Sequence, residues 1–152
     1  MTGAWPVLER GSGPAVVFLH GYPLHHGMWQ SQLESLSTDH RVILLDLPGF
    51  GFAQEGPVPD SLAGFAHRVE EALAPQVSGP VVIVGHSFGG YVALQLFRDH
   101  PKRFAGLVLT DTRSEADSPE AREKRLALVR RLETPGPFES ALRTLLARVP
   151  AP

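Results

Sequence analysis

The run Val81–Gly90, VVIVGHSFGG, is the strongest single constraint on the fold of this chain. Four β-forming residues lead into Gly85-His86-Ser87-Phe88-Gly89, and an apolar helical stretch, Tyr91 to Phe97, follows. A strand that turns straight into a helix packs its backbone against itself around Ser87. The positions two before and two after the serine therefore cannot carry bulky side chains, and both are glycine, giving G-x-S-x-G in a strand-to-helix context. Such a turn lifts the Ser87 hydroxyl out of the sheet and sets the first helical N–H groups beneath it. Ser87 is thus the candidate nucleophile. A serine attacks weakly until a base takes its proton, and no histidine occurs after His100.

The 152 residues suit one domain with a real core. A hydrophobic content of 43% with 20% charged residues is ordinary for a globular protein. A net charge of −2 gives no electrostatic case for nucleic acid or an anionic membrane. The absence of cysteine excludes disulfides and Cys-based metal sites. Met1–Glu9 lacks the basic start and apolar core of a signal peptide. No apolar run approaches the roughly 18 residues of a membrane span, so a cytoplasmic location is expected.

Along the chain, strands and helices alternate. Trp5–Glu9 reads as a short edge strand, and Ala15–Leu19 and Arg41–Leu45 as buried strands. A helix is expected over about Gly27–Leu36. Another runs from a Ser61 cap to about Ala74, with Leu62, Phe65, Ala66, Val69 and Leu73 at helical spacing. Val81–Val84, the helix to about Asp99 and a strand at about Gly106–Thr110 complete the pattern. Strands this apolar, separated by helices, imply an α/β fold whose mainly parallel sheet carries helices on both faces. Ser118-Pro119 opens a charged helix to about Glu133. Pro135-Gly136-Pro137 breaks it, and a last helix is expected over about Phe138–Arg148.

In such a sheet, ligands sit beyond the carboxyl ends of the strands. His20-Gly21-Tyr22-Pro23, Asp46-x-Pro48-Gly49-x-Gly51 and Gly85-His86-Ser87-Phe88-Gly89-Gly90 all fall there. Together, in this order and approximate spacing, they resemble the α/β-hydrolase fold family over about Ala15–Asp111. The Thr110–Arg125 stretch, TDTRSEADSPEAREKR, is similar to the 3-oxoadipate enol-lactonase-like and serine esterase branch.

The resemblance implies a truncated α/β-hydrolase fold. Residues 1–112 would be the N-terminal part of the core and 113–152 an incomplete helical lid. It further implies a carboxylic-ester hydrolase of the EC 3.1.1 type, acting on small esters or lactones through an acyl-enzyme on Ser87. The backbone N–H groups of Phe88 and Tyr22 would stabilise the oxyanion, a contribution of a few kcal/mol per donor. Asp111 closes the last strand, where a few family members place their acid; the alternative is a turn residue. No cofactor or metal is implied.

The base histidine cannot be identified in this chain. His86 adjoins Ser87 on a strand and should point to the other face. His100 lies some 20 Å away along a helix at about 1.5 Å per residue. His40 precedes a strand, His67 sits on a covering helix, and His20 reads as a loop brace. His25 and His26 remain, with polar residues at a helix start as the competing reading. A homo-oligomer, or a complementing C-terminal segment that brings the histidine, is expected to cover the open side of the sheet. A catalytically silent half-domain is the alternative to the enzyme.

Other signals lead elsewhere only weakly. Gly49-Phe50-Gly51 follows a strand as a dinucleotide loop would, but Gln54 stands in place of the third glycine. His25-His26 is not a metal pair by spacing, since adjacent helical positions diverge. The mixed charges of Ser118–Glu133 read as a solvated helix face.

Overall fold

The computed structural model describes residues 7–132. Five strands form one sheet: β1 (Val7–Arg10), β2 (Ala15–Leu19), β3 (Arg41–Leu45), β4 (Val81–His86) and β5 (Phe104–Thr110), in the order β1-β3-β2-β4-β5. β1 pairs antiparallel with β3 and every other pairing is parallel. The α/β class with a mainly parallel sheet is therefore observed. The strand expected at Trp5–Glu9 is β1; Trp5 itself, the Pro135–Pro137 break and the Phe138–Arg148 helix lie outside the described residues.

Side-chain alternation splits the core in two. Val17, Leu19, Ile43, Leu45 and Ile83 face α2 (Leu62–Leu73) and α3 (Phe88–Asp99). Val16, Phe18, Val42, Leu44 and Val84 face the other way, with Trp29 and with Leu33 of α1 (Gln30–Leu36). Both faces of each central strand are buried, which is why these strands read as unbroken apolar runs.

Local chemistry sets the helix ends. The Ser61 side chain caps α2 by accepting from the Gly64 N–H at 3.2 Å. Phe65, Ala66, Val69 and Leu73 are buried as their spacing requires. Leu62 is not: it opens the helix and stays 39% exposed. The helix expected from Gly27 begins instead as a 3-10 turn, His26–Trp29, before α1. The described residues from Glu115 onward belong to a second unit. Within it, α4 (Pro119–Leu132) starts at Ser118, whose side chain accepts from the Ala121 N–H at 3.2 Å. Asp117 there bonds Arg125 at 2.8 Å.

Parallel register levels the strand ends. Leu19 pairs with Leu45 and with Gly85, and Gly85 with Leu109. His20, Asp46, Ser87 and Asp111 consequently leave the sheet along one edge. At the centre of that edge, α3 crosses the end of β2 with no room to spare. A Cβ on Gly89 would fall 2.6 Å from the His20 carbonyl oxygen and closer still to that of Leu19. A Cβ on Gly85 would fall 2.7 Å from the Gly89 carbonyl oxygen. These obstacles are backbone and cannot rotate away. Gly89→Val is expected to destabilise the chain by several kcal/mol, read as a drop in the thermal midpoint; an unchanged midpoint would refute this packing.

Candidate active site

Ser87 stands between β4 and α3 with φ 49° and ψ −112°, a left-handed conformation that a non-glycine residue rarely adopts. Such a conformation costs on the order of 1–3 kcal/mol and persists only where the surroundings enforce it. Here they do. The Ser87 N–H donates to the Thr110 carbonyl at 3.0 Å, and the Ser87 carbonyl accepts from the Gly90 N–H at 3.0 Å. Thr112 adds a third restraint by donating its hydroxyl to the Ser87 carbonyl at 2.9 Å. Its side chain also closes over Gly90, where a Cβ would meet it at 2.6 Å. Nothing in the sequence pattern singled out Thr112.

The loop after β2 packs directly on the serine. A Cβ on Gly21 would lie 3.1 Å from the Ser87 Cβ and 2.9 Å from the His86 ring. The next residue along this loop, Tyr22, is 48% exposed. Phe88 opens α3, so its N–H has no carbonyl one turn behind it to bond. The sequence-predicted Ser87, Phe88 and Tyr22 thus converge on one end of the sheet. Asp111 follows β5 with φ 45° and is exposed. Among the described residues its carboxylate has no side-chain partner, and no histidine is bonded to it.

The other histidines are placed by their contacts. His86 turns its ring toward Trp29, on the face opposite α3, and its Nδ1 meets the Thr110 hydroxyl at 3.1 Å. His67 is an exposed partner of Glu71 on α2. His20 is fully buried. Its Nε2 accepts from the Leu47 N–H at 2.9 Å, which leaves Nδ1 protonated to donate to the Gly21 carbonyl at 3.0 Å. His20 thereby ties the loop after β2 to the loop after β3.

Asp46 makes a second tie between the same loops. Its carboxylate accepts from the His26 N–H at 2.6 Å, the Phe52 N–H at 2.9 Å and the His26 ring at 2.7 Å. Burial alone would raise its pKa. The backbone N–H groups of His26 and Phe52, with the His26 ring, hold it below the ordinary carboxylate value instead. Helical divergence does not separate His25 from His26. His25 is extended (φ −148°, ψ −179°) ahead of the 3-10 turn, and the two rings meet edge-on with centroids 5.0 Å apart.

Fold and site together define a hydrolase-type α/β scaffold: a serine on a strained strand-to-helix turn, faced by the loop of the neighbouring strand. The chain belongs to the α/β-hydrolase fold family, whose sequence pattern it matches over residues 14–145. It is 35% identical over 135 residues to a pimeloyl-[acyl-carrier protein] methyl ester esterase of Nitrosomonas europaea, covering 89% of this chain and 47% of that protein. A thermophilic esterase from Thermogutta terrifontis, solved with malate bound, superposes with a TM-score of 0.81 at 37% identity. That match covers 91% of this chain and 51% of the esterase. An N-acyl homoserine lactone degrading enzyme superposes with a TM-score of 0.71 at 29% identity, over 80% of this chain and 48% of that one. The chain spans about half the length of these relatives.

Burial lowers the pKa of His20, outweighing the Gly21 carbonyl and the Asp46 charge, which pull upward. Unfolded, the residue titrates near 6.5; folded, it stays neutral to lower pH. The unfolded chain therefore binds more protons, and stability falls as pH drops below 6.5 toward the folded pKa. Urea unfolding between about pH 7.5 and 5.5 should show this slope, and His20→Asn should remove most of its share. A variant with an undiminished slope would place the titration elsewhere.

Proposed function

We propose that this chain carries the nucleophile and oxyanion half of a serine hydrolase of small carboxylic esters or lactones. The observation that carries the reading is the strained Ser87 at the head of α3, with Gly21 packed against its Cβ. The Ser87 hydroxyl oxygen attacks the acyl carbon and gives up its proton to a base. Charge develops on the carbonyl oxygen, toward which the N–H groups of Phe88 and Tyr22 are assigned as donors. Collapse of the adduct breaks the bond to the alcohol and leaves an acyl-enzyme, which water then cleaves. Asp111 is the proposed acid, from its place after β5. The base is assigned to a partner segment or to an unusual histidine. Residues 1–112 form the N-terminal part of the core in this reading and 113–152 an incomplete helical lid.

The names of the relatives support ester and lactone substrates alike, since both reactions begin with attack on an acyl carbon. The methyl ester of an acyl-carrier-bound acid and a lactone ring are the two substrate forms to try first. The 3-oxoadipate enol-lactonase-like branch is the finer alternative.

In an assembly that supplies the base, a fluorophosphonate probe is expected to label Ser87, and Ser87→Ala to abolish both labelling and turnover of an activated ester. Wild-type turnover in that variant would overturn the assignment. A monomer without its base should keep only residual catalysis, about 10³–10⁴-fold over water. Ordinary esterase kinetics from a strict monomer would instead place the base within the chain, and His25→Ala and His26→Ala would locate it.

A second reading, association, is favoured by β5. It is the last strand of the sheet among the described residues, with Val108 and Leu109 45% and 42% exposed. An apolar sheet edge recruits another strand, from a second copy or a complementing segment. Sedimentation equilibrium at low micromolar concentration should find species heavier than 16.5 kDa; a clean monomer with cooperative unfolding would count against it.

A further inference from the structure

We infer that His25, His26 and Asp46 form a binding site for one first-row divalent transition cation, of the Zn2+ or Ni2+ kind, which clamps the loop after β2 to the loop after β3. One donor atom from each of the three lies within 4.8 Å of the others. Two imidazoles and one carboxylate suit zinc, nickel or copper rather than magnesium or calcium, which prefer all-oxygen ligands. The site goes beyond the ester reading and does not rest on it.

Two of the three donors are already set. Asp46 is buried and held by the N–H groups of His26 and Phe52, so its carboxylate keeps its position without a cation. The His26 ring lies 2.7 Å from that carboxylate and stacks on Phe52 at 4.7 Å. With metal–nitrogen and metal–oxygen bonds of about 2.0–2.2 Å, neighbouring ligand atoms stand roughly 3.0–3.4 Å apart. The His26–Asp46 pair has to open by only a few tenths of an ångström, with the metal taking the place of the Nδ1 proton, which moves to Nε2. The His25 ring has to close by up to about 1.5 Å on the same geometry, and it is the one exposed member of the three. Its Nδ1 accepts the Gly27 N–H at 3.2 Å, so the ring proton sits on Nε2; ligation exchanges this bond for the metal, through Nδ1 directly or through Nε2 once the proton has moved to Nδ1. Water would fill the remaining positions, as three protein ligands leave room for it.

The test uses the untagged chain and the metal salts themselves. Calorimetric titration with Zn2+ and with Ni2+ should give one saturable site and a higher thermal midpoint, and Mg2+ should give neither. His25→Ser keeps a capping side chain but removes the imidazole, and should weaken binding by about tenfold or more. Asp46→Asn should do the same; if it fails to fold, His25→Ser decides alone. His67→Ala removes an exposed histidine–carboxylate pair, that of His67 with Glu71, and should leave binding unchanged. Absence of a saturable site up to about 1 mM metal, an unaffected His25→Ser, or loss of binding in His67→Ala would each overturn the proposal.

Discussion

The crossing of α3 over the end of β2 is the contact on which the rest of the molecule's working edge depends. Gly89 lies against two carbonyl groups of the β2 end, and Gly85 against the Gly89–Gly90 backbone. With no side chain between them, helix and sheet approach closely enough to force Ser87 into the left-handed region. The strain is held by many small restraints, among them the Thr110 carbonyl, the Gly90 N–H and the Thr112 hydroxyl. None is strong alone, since a hydrogen bond contributes about 1 kcal/mol net. Their number makes the turn rigid.

Around that crossing lies a second layer of order, built from buried polar groups. His20 and Asp46 each join the loops after β2 and β3, one through a neutral imidazole and one through a carboxylate. Buried polar groups are costly when unpaired and specifying when satisfied. The two residues therefore fix the loop that delivers Tyr22 without adding apolar volume. Arg103 plays a comparable part at the far end of β5, where it donates to the Val77 carbonyl at 2.6 Å and to Glu70 at 3.1 Å.

Two of the central strands, β2 and β3, were legible to the residue, whereas β4 runs two residues beyond the expected Val81–Val84. Ala15–Leu19 and Arg41–Leu45 are continuous apolar runs bounded by Gly, Pro or polar residues, a pattern with few competing readings. β5 starts earlier than expected because Phe104 pairs with Val81 across an irregularity in the ladder. Ser87 and its glycines were legible because backbone sterics dictate residue type there. Asp46 was visible only as one letter of a motif. Its role depends on partners 20 residues before it and six after it, and on where one histidine ring points. Nor could spacing show that His25 is extended, which is what brings its ring to His26. Thr112 escaped for a similar reason: a hydroxyl bonded to a backbone carbonyl leaves no periodic trace.

The exposure of Tyr22 carries a consequence for how this scaffold can change. Its N–H is the part assigned to the reaction, and the residue is 48% exposed with its ring edge-on to Phe50. Phe52, nearby on the next loop, is 66% exposed although its N–H is held by Asp46. At both positions the main chain is committed, while the exposed side chain makes a single ring contact, Tyr22 with Phe50 and Phe52 with His26. Residues of different size and polarity can be exchanged at this rim while the floor beneath keeps its shape. Selection can then reshape the exposed surface of these two loops in single steps, each nearly neutral for folding.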